Sequence, residues 1–198
     1  IKMVEIVMLA APYFVFALMA GVVTKMAGDD ISKVFEIFKG LTWYFVVVAF
    51  GLILMAFGVY PVILRLLTGK DFSYREFFEG ISKAQALAFS TSSSAATLPV
   101  TMECVEDNLK VDKRVTSFVL PIGATVNMDG TSMYQAIAVI FLAHIHNVDL
   151  GLADQITIVL TALLASIGSA AIPGAGLVML MIVLQTVGLD PAWIAIIL

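Results

Sequence analysis

Charge is scarce in this sequence: Asp, Glu, Lys and Arg make up 13% of its 198 residues, about half the share of a soluble domain. The net charge is only −4 and the basic residues form no stripe, which removes nucleic acid as a partner. A single cysteine, Cys104, excludes an intrachain disulfide and a cysteine-ligated zinc site. Glu103, Glu106 and Asp107 surround it and disfavour a thiolate, so it reads as a bystander, not a nucleophile. No signal peptide of the charged, apolar, small-residue design is visible.

Apolar side chains are abundant instead. They supply 61% of the chain, in runs long enough to cross a bilayer, which takes about 20 residues per helix. With a mean hydropathy of +1.02, the sequence predicts an all-α integral membrane protein. It starts at Ile1 within an apolar segment and stops at "PAWIAIIL", and so reads as a piece of a longer protein.

Val4 to Val23 forms a first expected span, followed by a mixed-charge connection to about residue 40. Residues 41–67 form a second, longer span, interrupted at Tyr60-Pro61, where a tilt or a proline kink absorbs the extra length. Residues 68–83 read as polar surface. Ala84 to Met102 is long enough to span, yet its centre is "STSSSAATLPV". Backbone released from helical bonding cannot face lipid, so this segment predicts a re-entrant helical hairpin with its tip at the serines. A third span, 115–143, contains "PIGATVNMDGTSMYQ". Residues 152–187 are apolar with a broken centre, "SIGSAAIPGAG", and arms of about 14 and 11 residues are too short to span. That predicts a second hairpin.

The tips "SAATLP" and "SAAIP" look alike, and paired interrupted segments point to a transporter built from inverted repeats. Arg65, Lys70, Arg75, Lys83, Lys110, Lys113 and Arg114 flank the first hairpin, while 144–154 carries no Lys or Arg. The positive-inside rule then places the first hairpin's base in the cytoplasm and opens the second from outside.

Asp129 is expensive at membrane depth, roughly 2.5–3.5 kcal/mol on an insertion scale. The third span and the hairpin centres hold no Lys or Arg to pair with it, which leaves a bound cation or protonation. Asn127 and Thr131 offer neutral oxygens, and Gly130 allows unwinding that frees carbonyls, the ligands hard cations prefer. Met128, a soft thioether, reads as packing. At helical pitch Asn127 and Thr131 share a face with Tyr134 and Gln135, while Asp129 points about 200° away. Half-helix N-termini at the tips, the hydroxyls of Ser92, Ser93 and Ser94, and Gly168, Gly174 and Gly176 suit an anionic solute.

"SSSAATLPVTM" (92–102), "PIGATVNMDGTSMYQ" (121–135) and "SIGSAAIPGAG" (166–176) resemble the dicarboxylate/amino acid:cation symporters, in that family's order and spacing. This family includes the excitatory amino acid transporters and the archaeal aspartate transporters. The resemblance spans essentially the whole chain. It implies a fifth span at 1–28, an external connection at 29–40, a sixth span at 41–67 and a first hairpin at 84–107. A broken seventh span at 115–143, a second hairpin at 152–187 and the start of an eighth span at 190–198 complete the assignment. It also implies a homotrimeric elevator in the plasma (inner) membrane, with the fifth span in the scaffold.

By the same resemblance, Asn127 and Asp129 are sodium ligands, joined by carbonyls of Gly123 and Thr125 and the thioether of Met128. Ser166, Ile167 and Ser169 offer carbonyls to another sodium. Thr131, Ile172 and Gly176 contact substrate, Ser94 binds its carboxylate, and Ser93 and Gly174 join that set. No cofactor beyond the coupling sodium is implied. Met128 and Ile167 stand where the proton-coupled branches resemble "NLDG" and "SKG", so the chain looks sodium-coupled. The position at which some members carry an arginine is Ser92 here.

The implied function is sodium-coupled uptake of an acidic amino acid or dicarboxylate; the alternatives are a proton-coupled dicarboxylate symporter and a neutral amino-acid symporter of the same family. An intramembrane aspartyl protease needs two aspartates at membrane depth, and only Asp129 qualifies. A channel calls for charged rings or carbonyl filters, which paired hairpins do not suggest.

Overall fold

The computed structural model describes residues 2–28, 31–69 and 73–197. Lys70, counted above for orientation, Ile1, Leu198 and residues 29 and 30 of the expected connection lie outside the described residues. Among the described residues every regular element is helical.

Helix α1 spans Lys2–Ala27 and α2 spans Ile31–Ile53. The expected connection at 29–40 is thus helical from Ile31. Val34, Ile37, Leu41 and Tyr44 recur at helical spacing on the less exposed face, a period that outweighs the scattered charges of Lys33, Glu36 and Lys39. From α2 the chain passes through a π-helical segment, Leu54–Val59, into α3, Tyr60–Thr68, with right-handed helical dihedrals at Ile53, Val59 and Tyr60. The Tyr60 N–H bonds Met55 O, five residues back. Pro61 has no N–H to give and Gly58 has no side chain to resist, so the hydrogen-bond ladder widens here.

Helix α4, Tyr74–Thr91, begins ten residues before the expected hairpin because Ser73 caps it, its hydroxyl accepting from Glu76 N–H. Ser92 then turns left-handed at φ 49°, and α5, Ser94–Glu103, returns behind Ser93 as its cap. A π-helical turn, Cys104–Asn108, leads towards α6, Lys113–Val126. Asp112 starts α6 by accepting from Arg114 N–H at 2.8 Å and pairing with the guanidinium at 2.9 Å, which holds its carboxyl below the usual range.

Asn127 and Met128 leave the helical region (φ −101°, ψ 68° and φ −105°, ψ 56°), and α7, Asp129–Ile145, follows. Helices α8, Leu152–Ile167, and α9, Ala175–Thr186, are joined by the turn at 168–174, and a 3₁₀ helix covers Pro191–Ile196. The core lies where α7 packs against α8 and α9: Val139, Leu142, Ile158, Leu180, Val183 and Leu184 are fully buried. Ile194 and Ile196 close it from below α9. By contrast, the α2–α3 run from Val34 to Thr68 is apolar enough to cross a membrane, and only 6% of its most apolar window is buried. Phe45 and Phe50 project from it, exposed.

Candidate functional site

Three chain interruptions converge. The Ser92–Ser93 turn meets the 168–174 turn: Ser93 Oγ donates to Ala171 O at 2.9 Å and Ala95 N–H donates to the same carbonyl at 3.2 Å. Ser93 Oγ also accepts from Ala96 N–H at 3.2 Å, so one hydroxyl caps α5 and ties the tips together. The break at Asn127–Met128 faces both tips across a cavity of about 260 Å³, below the size of drug-binding pockets and suited to a small solute.

Of the residues expected to touch substrate, Ser94, Thr131, Ile172, Gly174 and Gly176 line this cavity, together with Met128 and Ser169. Ser93 is buried behind them. Gly176 makes the fit close, since a Cβ there would meet Tyr134 Oη and lie 2.9 Å from Thr131 Cγ2. Gln135, fully buried, donates from Nε2 to Gly176 O at 2.8 Å and so fixes the first turn of α9 to α7. Ser169 Oγ is buried without a protein partner at the cavity wall. The N-termini of α5 and α9 both open here, bringing their positive dipole ends to the cavity. Ser92, Tyr134, Ala170, Ala171 and Leu177 complete the wall.

The cation candidates other than Met128 and Ser169 lie outside this cavity wall. Gly123 and Thr125 lie in the last turn of α6, where carbonyls lack intrahelical donors, although Gly123 O accepts from Asn127 N–H at 3.0 Å. The Asn127 amide stands 3.1 Å from both carboxylate oxygens of Asp129. With its nitrogen turned to the carboxylate, the amide donates to both oxygens and its own oxygen points away from Asp129. Helical projection put Asn127 and Asp129 on opposite faces. The structure corrects this, because the unwound residues 127 and 128 abolish the 100° step the projection assumes. Ser166 is buried at the end of α8 with its carbonyl accepting from Ser169 N–H at 3.1 Å, and Ile167 is exposed.

Among the described residues no three of His, Cys, Asp and Glu cluster, and Asp129 is the one carboxylate among the expected cation ligands.

Asp129 has a partner that charge counting missed. The Tyr60 hydroxyl donates to its Oδ2. A neutral donor stabilises the carboxylate by a hydrogen bond while leaving its charge in place for a cation or proton. The signal was the Tyr60-Pro61 interruption, which reads as a kink until the π-helical segment is seen. A larger cleft of about 880 Å³ between α2 and α7, lined by Trp43, Phe141 and His144 among others, borders none of these motif residues.

The sodium:dicarboxylate symporter family model matches residues 1–198. The chain is 46% identical over 188 residues to excitatory amino acid transporter 1 of Ambystoma tigrinum, covering 95% of this chain and 33% of that protein. It is 44% identical over 188 residues to excitatory amino acid transporter 3 of Homo sapiens, covering 95% of this chain and 34% of that protein. An excitatory amino acid transporter of Caenorhabditis elegans is 44% identical over 188 residues, with 95% of this chain and 36% of that protein covered. The chain spans about a third of the length of the curated relatives it matches. With its helices, its broken α6–α7 and the facing tips, this is a membrane protein of a transporter family, not an enzyme, and it belongs to the sodium:dicarboxylate symporter family.

Proposed function

We propose that this chain forms the substrate and cation sites of a symporter that couples sodium entry to uptake of an acidic amino acid or dicarboxylate. The observation that carries the reading is the break at Asn127–Met128, which turns Thr131 towards the cavity and Asp129 towards Asn127 and Tyr60. One interruption thereby serves two sites, and filling one biases the geometry of the other. Among the described residues the cavity wall holds no carboxylate, and helix N-termini and hydroxyls favour an anion.

Gly123, Thr125, Asn127, Met128 and Asp129 supply one sodium set; Ser166, Ile167 and Ser169 supply another. Ser93, Ser94, Thr131, Ile172, Gly174 and Gly176 form the substrate set. The α4–α5 and α8–α9 pairs act as hairpins re-entering the membrane from opposite faces. The whole protein works as a multi-pass homotrimer of the plasma membrane, moving its transport domain like an elevator.

Full-length protein in liposomes is expected to accumulate labelled aspartate only with an inward sodium gradient. Equal uptake with choline in place of sodium, or with a proton gradient alone, would remove the coupling. Asp129→Ala is expected to abolish sodium-dependent binding.

A further inference from the structure

We propose that Tyr60 is a positioning residue for the cation site, holding the Asp129 carboxylate through its phenolic hydroxyl. The inference rests on the reading above that Asp129 ligates the coupling cation. The two residues lie 69 positions apart, and the hydroxyl donates to Asp129 Oδ2.

Three local features bring them together. The π-helical segment Leu54–Val59 ends immediately before Tyr60, and an extra residue in a helical turn rotates everything downstream by about 100°. A continuous α-helix would carry the phenol to another face. Gly130, next to Asp129, lets α2 come near: a Cβ there would stand 3.2 Å from Leu52 Cδ2. Pro61 is buried and fixes the first turn of α3 from which Tyr60 projects.

A carboxylate accepts at about four positions, so a phenol on one oxygen leaves room for a cation on the remaining lone pairs. The charge-assisted bond holds the carboxylate in one rotamer, so less ordering falls to cation binding. Tyr60 does not line the solute cavity, and its effect passes through Asp129.

The test uses full-length protein, reading the sodium concentration at the midpoint of thermal stabilisation and of labelled aspartate uptake. Tyr60→Phe keeps the ring and deletes the donor, and is expected to raise both midpoints roughly tenfold. The substrate concentration for half-maximal uptake at saturating sodium should stay at the wild-type value. A role in packing alone would lower the melting temperature at every sodium concentration and leave the midpoint in place.

Tyr60→Leu, which also removes the ring, should move the midpoint in the same direction, and it carries the comparison if Tyr60→Phe does not accumulate. An unchanged or lowered midpoint in these variants, with sodium stabilisation lost in Asp129→Ala, overturns the role of Tyr60 alone. A wild-type midpoint in Asp129→Ala overturns the cation reading beneath it.

Discussion

Ser169 separates stability from function more cleanly than any other side chain in the site. Its hydroxyl is buried without a protein partner, a situation that costs about 1–3 kcal/mol. Ser169→Ala keeps the carbonyl offered to sodium and should melt no lower than wild type in sodium-free buffer. Uptake should fall, because the cavity wall loses a hydroxyl free to bond the solute. A loss of both together would mean that the hydroxyl is structural. Gly176 tests the shape of the same cavity. Gly176→Ala should cut aspartate uptake at least tenfold (roughly 1.4 kcal/mol), because its methyl meets Tyr134 and Thr131. Gly51→Ala serves as its control. There the methyl would meet Met133 Sδ at 2.7 Å, but a flexible thioether can move aside, so uptake should change little.

Elements in this protein depend on their ends. Ser93→Ala removes the cap of α5 and one of two bonds between the tips, about 1 kcal/mol each. Amide exchange at 94–97 and 169–174 is expected to rise together; a rise confined to 94–97 would leave the cap as the hydroxyl's only role. Helix α6 has a pH-dependent start. Asp112's folded pKa is depressed by Arg114, so its contribution is full above the ordinary aspartate value and is lost as pH falls through the depressed one. Exchange at residues 113–116 should accelerate over that acidic window and not at neutral pH. The interruption at Asn127–Met128 was legible because polar and glycine residues are conspicuous in an apolar run. The left-handed turn at Ser92 was not, since a serine run advertises hydroxyls and gives no sign of positive φ. The π-helical segment was hidden for a similar reason: proline and glycine announce disruption without saying whether the helix bends or widens.

At the scale of the whole molecule, composition was enough to predict membrane helices, whereas the core between α7, α8 and α9 emerged only from the structure. Long-range pairs were out of reach, because neither Tyr60 with Asp129 nor Ser93 with Ala171 leaves a trace at fixed spacing. Among the described residues the α2–α3 run is apolar and largely exposed. Spin labels at Phe45 and Phe50 in the full-length protein should be quenched by oxygen and shielded from a water-soluble nickel reagent. The reverse pattern would place that face in water. One carbonyl sets the character of any movement at the tips. Ala171 O accepts from both Ser93 Oγ and Ala95 N–H, so parting the tips strands a single acceptor and two donors in one event. The two bonds therefore form and part as a unit, and the tips are joined by one shared acceptor rather than by two independent contacts.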